Sequence, residues 1–252
     1  MALEGRIIVI TGAARGLGRG FAQACTKAGA KHIIIADIRA DLGEETATAL
    51  RASGASAQFE HVDLGDPESI AAFAERVGRA HGHIDGLVNN GAIATGIGGK
   101  TFEEIDVETW DLVMRVNVRG LWLMVKAMAP LLRKSTMGGR IVNLASDTAL
   151  WGAPRLLHYV GSKGAVISMT RSLARELGPD KIAVNAIAPG LVLVEATEYV
   201  PEERKQTYVT GRAMQRAQHP DDTVGVVAFL LSNEAGFVTG QLIPVNGGFV
   251  FN

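Results

Sequence analysis

The chain has 252 residues, 47% of them hydrophobic and 20% charged, with a formal net charge of -1 at pH 7. That balance describes a globular protein and leaves no electrostatic basis for binding nucleic acid or an anionic membrane. Cys25 is the single cysteine, so no intrachain disulfide framework can form, and no stretch reaches the roughly 18 uninterrupted apolar residues of a membrane span; a cytoplasmic location is expected.

In chain order, the apolar run Ile7, Ile8, Val9, Ile10 predicts a first strand. Leu17, Phe21, Ala24, Cys25 and Ala28 share one face at helical spacing, and Gly29 supplies the stop. Ile33 to Ile35 read as a second strand, 40–52 as a helix, and Asp63-Leu64 as the end of a third strand. Asp66 caps a helix starting at Pro67. Leu87-Val88 form a fourth strand ending at Asn89-Asn90-Gly91, followed by one long helix over about 108–133. A fifth strand covers 141–145, a helix 156–177 stops at Gly178-Pro179, and a sixth strand covers 182–187. The strands are apolar at successive positions, as expected when helices cover both faces. The alternation predicts an α/β fold, a doubly wound parallel sheet (Rossmann-like), in a single domain spanning 1–252. Residues 190–211 are irregular, charged from Glu202 to Lys205, and follow a strand end. They are expected to form a substrate lid.

The first strand runs into Thr11-Gly12-Ala13-Ala14-Arg15-Gly16-Leu17-Gly18. Glycines there let the backbone turn tightly, and the N–H groups of the helix that follows favour a diphosphate. The spacing is Gly-x-x-x-Gly-x-Gly rather than the commoner Gly-x-Gly-x-x-Gly. Asp37 closes the second strand, where a carboxylate accepts from ribose hydroxyls and repels a 2′-phosphate. That favours NAD, with NADP as the alternative, because Arg15 and Arg39 lie where either could face a 2′-phosphate. Asp63, Leu64 and Asn90 end strands on the same edge and are expected on the adenine side.

Tyr159 and Lys163 stand four apart on a predicted helix and so share a face. A free tyrosine titrates near about 10; an adjacent ammonium favours the phenolate and is expected to lower that value, making a group that exchanges a proton with an alcohol or ketone. Ser146 follows the fifth strand, where its hydroxyl meets the substrate oxygen. Asn117 lies mid-helix, where asparagine is intrinsically unfavourable and a buried network is one reason for it.

Together these ordered motifs, with Pro189-Gly190 and Gly247-Gly248, resemble the short-chain dehydrogenase/reductase family over almost the whole chain. The resemblance implies Tyr159 as general acid/base, Lys163 lowering its pKa and holding the nicotinamide ribose, Ser146 orienting the carbonyl, and Asn117 holding a water linked to Lys163. It implies that Pro189, Gly190 and the backbone of Val192 border the nicotinamide. It also implies a homotetramer built on the long helices around Asn117 and Tyr159. Three positions depart from the family pattern: Gly91-Ala92 stands for Ala-Gly, Val194 for a threonine, and Asn246 for an aspartate.

The histidines lack metal-ligand spacing, and no metal is expected. His158 neighbours Tyr159 but points about 100° away on a helix. Ser162 is expected to face elsewhere, and no Gly-x-Ser-x-Gly turn supports a serine nucleophile. Asp147 either touches a substrate or caps a turn. Leu150, Trp151, Pro154 and Val194 suggest an apolar pocket for a cyclic or aromatic substrate. The reading is hydride transfer between NAD(H) and a small-molecule secondary alcohol or ketone. The alternatives are an NADPH-dependent carbonyl or 3-oxoacyl reductase, and a nucleotide-sensing binder that has lost the chemistry.

Overall fold

Seven strands form one parallel sheet in the order β3-β2-β1-β4-β5-β6-β7. A computed structural model describes residues 2–251. The strands are β1 (Ile7–Thr11), β2 (His32–Asp37), β3 (Ala57–His61), β4 (Gly86–Asn89), β5 (Arg140–Leu144), β6 (Ala183–Pro189) and β7 (Leu242–Val245). Their register sets Val9 beside Ile34 and Leu87, and Ile141 beside Leu87 and Val184, an apolar ladder across the sheet.

Alternate residues of each strand enter different cores. Ile7 and Val9 pack with Phe73 and Val77 of α3 (Pro67–His81), Met124 and Met128 of α5 (Leu121–Leu132) and Val166 of α7 (Leu157–Leu177). Ile8 and Ile10 pack on the other face with Phe21 and Cys25 of α1 (Gly16–Lys27), Leu50 of α2 (Ala40–Ala52) and Leu231 of α9 (Asp221–Leu231). With both faces covered, no strand position is left for a polar residue to alternate into, which is why the runs are continuous. Burying each such aliphatic side chain contributes about 1.5–3 kcal/mol.

β1 has β2 on one side and β4 on the other, so the chain reverses its direction of travel across the sheet between β3 and β4. The loops that follow β1 and β4 therefore part at the carboxyl edge and leave a crevice. The opposite edge is closed by a buried polar knot. Asp85 accepts from the Ile7 N–H at 2.8 Å and from the Ser135 hydroxyl at 2.5 Å, while buried Arg6 donates to the Asn233 side chain at 2.5 Å.

Several elements differ from the sequence expectation. β3 ends at His61, before Asp63, because its neighbour β2 ends at Asp37 and offers no further partner. The long helix predicted over 108–133 is three pieces: α4 (Val107–Met114), a π-helical turn (Arg115–Gly120) and α5. The wide turn places both Asn117 and Gly120 in the interior. A Cβ on Gly120 would lie 2.5 Å from the Leu64 carbonyl oxygen, so only glycine fits there. Short α6 (Thr148–Trp151) follows β5 in place of a loop. The segment 190–211 is ordered, with a turn at Glu195–Thr197 and α8 (Glu202–Gly211). No helix among the described residues is long and apolar enough to cross a membrane.

Candidate active site

A cleft of about 1030 Å³ opens at the carboxyl edge of the sheet, and every residue expected to contact a cofactor lines it. Ser146, Tyr159 and Lys163 line it as well, whereas Asn117 lies behind its wall.

At one end is the glycine turn. Gly12 and Gly16 have φ of +62° and +55°, a left-handed conformation that favours glycine. A Cβ on Gly18 would meet the Gly12 carbonyl oxygen at 2.2 Å. α1 starts with no side-chain cap and no acidic residue in its first turn, so its leading N–H groups are left for an anion. This cradle fits the diphosphate of a dinucleotide. Asn90 lines the cleft, and its amide donates to the carbonyls of Thr11 (3.0 Å) and Gly12 (2.9 Å), fastening the turn to the end of β4. Asp37 accepts from the Ala14 N–H at 3.0 Å and from the Arg39 N–H at 3.0 Å, which fixes its carboxylate beside the turn. Each oxygen keeps lone-pair capacity for a ribose hydroxyl.

At the other end Tyr159 and Lys163 stand one turn apart on α7. The Lys163 Nζ lies 5.6 Å from the centre of the Tyr159 ring and donates to the Leu144 carbonyl at 2.7 Å. Burial pushes the ammonium down to about 8. The Thr148 hydroxyl donates to Ser146 Oγ at 2.9 Å, which turns the Ser146 proton toward the Tyr159 oxygen. The phenol itself is pushed up to about 12, chiefly by burial, against the pull of the Ser146 hydrogen bond and with a push from the Asp147 charge. In the protein alone burial sets the direction, upward rather than the expected lowering, and the Lys163 ammonium gives its hydrogen bond to the Leu144 carbonyl.

Asn117 and Ser162 meet behind the cleft wall. Asn117 Oδ1 accepts from the Ile93 N–H at 2.7 Å, and its Nδ2 donates to the Ile93 carbonyl at 3.0 Å and to Ser162 Oγ at 3.2 Å. Both amide protons are thereby engaged within the protein. Ser162 faces away from the cleft, as expected, but is buried and donates to the Tyr159 carbonyl at 2.7 Å. No sequence pattern pairs residues from two distant helices; the single hint was an asparagine in mid-helix.

Residues of the segment 190–211 line the cleft and contact its rim. Tyr199 donates to the Ala94 carbonyl at 2.9 Å, Thr95 to the Ala196 carbonyl at 3.4 Å, and Arg19 pairs with Glu195 at 2.8 Å. Trp151, Pro154, Leu156, Val194 and Tyr208 make the substrate end largely apolar. Leu150 instead packs on the core, and His158 is buried outside the cleft wall.

A family model described as Enoyl-(Acyl carrier protein) reductase matches residues 12–250. The chain is 34% identical to a 3-oxoacyl-[acyl-carrier-protein] reductase of Thermotoga maritima, over 99% of this chain and 100% of that protein. It is 37% identical to a galactitol 2-dehydrogenase of Agrobacterium fabrum, over 98% of both. The solved structure of a short-chain type dehydrogenase/reductase from Mycobacterium ulcerans is similar with a TM-score of 0.92 at 28% identity, covering 99% of this chain and 91% of that one. With the parallel sheet and the glycine turn, these end-to-end likenesses show that the chain belongs to the short-chain dehydrogenase/reductase family of oxidoreductases.

Proposed function

We propose that the protein interconverts a secondary alcohol and its ketone, with NAD(H) as the hydride carrier and Tyr159 as the general acid/base. The observation that carries this reading is the hydrogen-bonded line from Thr148 through Ser146 to Tyr159, set above Lys163 in the cleft that also holds the glycine turn. The dinucleotide supplies or accepts the hydride.

The chain's own residues handle the oxygen and the proton. Tyr159 presents its hydroxyl to the substrate oxygen, and Ser146 re-aims its own proton from the phenol to that oxygen when a carbonyl enters, which polarises it. With its pKa pushed up to about 12, Tyr159 is protonated at neutral pH and can donate to the alkoxide that forms on reduction. In oxidation it takes the alcohol proton, and the nearby Lys163 ammonium favours the phenolate as it forms. Asn117 positions both walls of this centre, holding Ile93 on one side and, through Ser162, the first turn of α7 on the other.

Asp37 supports NAD over NADP, because its carboxylate is held by two backbone N–H groups at the ribose end. Arg15 and Arg39 line the same cleft and support the second reading, an NADPH-dependent carbonyl or 3-oxoacyl reductase. The apolar walls support a cyclic or aromatic substrate over a polyol. Exposed Trp110, Trp122 and Leu157 on α4, α5 and α7 support assembly through these helices; sedimentation is expected to give four copies per particle, and a monomer would remove the assembly.

Tyr159→Phe is expected to keep dinucleotide affinity while turnover of an alcohol screen falls by roughly 10²–10⁴-fold; unchanged turnover would remove Tyr159 from its role. Asp37→Ala should weaken NAD more than NADP in a binding titration, and equal loss of both contradicts the ribose contact. Lys163 tests the energetics. Its folded value of about 8 lies below the ordinary 10.5, so its charged form opposes folding. From pH 8 to 10.5 the unfolded chain binds more protons, and this group's penalty, on the order of 3 kcal/mol below that window, is relieved as pH rises. Lys163→Met should therefore be inactive yet at least as stable to urea at pH 7, without that alkaline gain; a clear loss of stability would overturn this account.

A further inference from the structure

Beside the proton-transfer pair, on the wall of the same cleft, lies a second buried polar cluster to which the reaction assigns no step. Asp147, the neighbour of Ser146, is wholly buried, and Tyr208 of α8 and Arg212 just beyond it are each 3% exposed. The Tyr208 hydroxyl donates to Asp147 Oδ1 at 3.1 Å. The other carboxylate oxygen, Oδ2, makes no hydrogen bond of normal geometry. Arg212 donates to the Leu191 carbonyl and to Gln218 Oε1, both at 3.0 Å, and so grips the base of the lid. The cluster closes around Gly190, where a Cβ would come within 3.0 Å of Asp147 Oδ2 and of Arg212 Nη2. Above it the Tyr208 ring stacks on Phe249 at 4.4 Å and meets the edge of Trp151 at 6.2 Å.

The other ties of the lid are weak by comparison. The Arg19–Glu195 pair has side chains 39% and 43% exposed, and the Tyr199 and Thr95 contacts lie at the surface. Exposed pairs contribute about 0–1 kcal/mol, whereas a buried hydroxyl on a carboxylate is charge-assisted and strong.

We propose that Asp147 is a positioning residue for the lid: by accepting the Tyr208 hydroxyl it docks α8 on the loop that carries Ser146, and so sets how fast the cleft releases its dinucleotide. This rests on the reading of the cleft as a dehydrogenase site. The tie is sensitive to proton concentration. Burial pushes the Asp147 carboxyl up to about 6, against the hydrogen bond from Tyr208 and the charge of Arg212. The remaining groups facing it are polar and neutral, Trp151 of α6 and Asn246 after β7, together with the Tyr159 phenol of α7, whose own proton the Asp147 charge helps retain. As pH falls through about 6 the acceptor loses its charge and the lid loosens.

The test is release of NADH and of NADPH, followed by stopped-flow fluorescence in wild type, Tyr208→Phe and Asp147→Asn. Tyr208→Phe keeps the ring stack and is expected to release about ten-fold faster, the loss of one hydrogen bond to a charged group. Its melting temperature should stay within a few degrees of wild type. Wild-type release should accelerate between about pH 7.5 and 5, while both variants are flat across that range; a purely structural role would leave all three profiles parallel. Asp147→Asn keeps an acceptor without the charge, folds without a buried carboxylate, and should fall between the other two. Equal release rates in the three proteins overturn the tie and leave Tyr159 in its role. A wild-type protein that binds neither dinucleotide removes the reading beneath both.

Discussion

The Lys163 ammonium lies under the end of β5, 4% exposed, with the Leu144 carbonyl as its hydrogen-bond partner. A charge in that position opposes folding, so everything around it has to hold it in place. α7 is packed along β5 and β6 by Val166, Ala174 and Leu177, and those contacts carry Lys163 and Tyr159 to the carboxyl edge together. The continuous apolar strands are the other half of the same arrangement. A sheet buried on both faces is stiff enough to keep a reluctant cation against a strand end.

The two ends of the cleft are built differently. The glycine turn is fastened from three directions: Asn90 holds its carbonyls, Asp37 holds the Ala14 N–H, and the Thr46 hydroxyl donates to the Ala14 carbonyl at 2.9 Å. The substrate end is roofed by a segment whose surface contacts are few and exposed, and which is anchored at its inner helix.

Much of this was legible in the residue pattern, because the signals were local. Successive apolar positions report strands covered on both faces, the glycine turn reports close backbone approach, and a four-residue spacing reports a shared helix face. What escaped was relational. The hydrogen bonds from Asn117 to Ile93 and Ser162 join segments far apart in the chain, so Ser162 looked idle beside Lys163. The proton affinity of Tyr159 is relational too: spacing shows that an ammonium is near, but not that burial raises the phenol's value in the protein alone. α8 was hidden because its exposed face is charged and its one buried side chain, Tyr208, makes no periodic stripe.

The π-helical turn at Arg115–Gly120 carries one further implication. Such a turn holds an extra residue between two helices that otherwise continue one another, like a slack link in a taut cable. α4 and α5 are each clamped by their own neighbours, Val113 in one apolar cluster and Met124 and Met128 in another. Shortening the chain by one residue in the slack link lets the cable pull straight without dislodging either clamp. The architecture would survive that deletion, while the amide that braces the reactive centre would swing out of alignment. The ability to fold and the ability to react are thus written in separable stretches of a single helix.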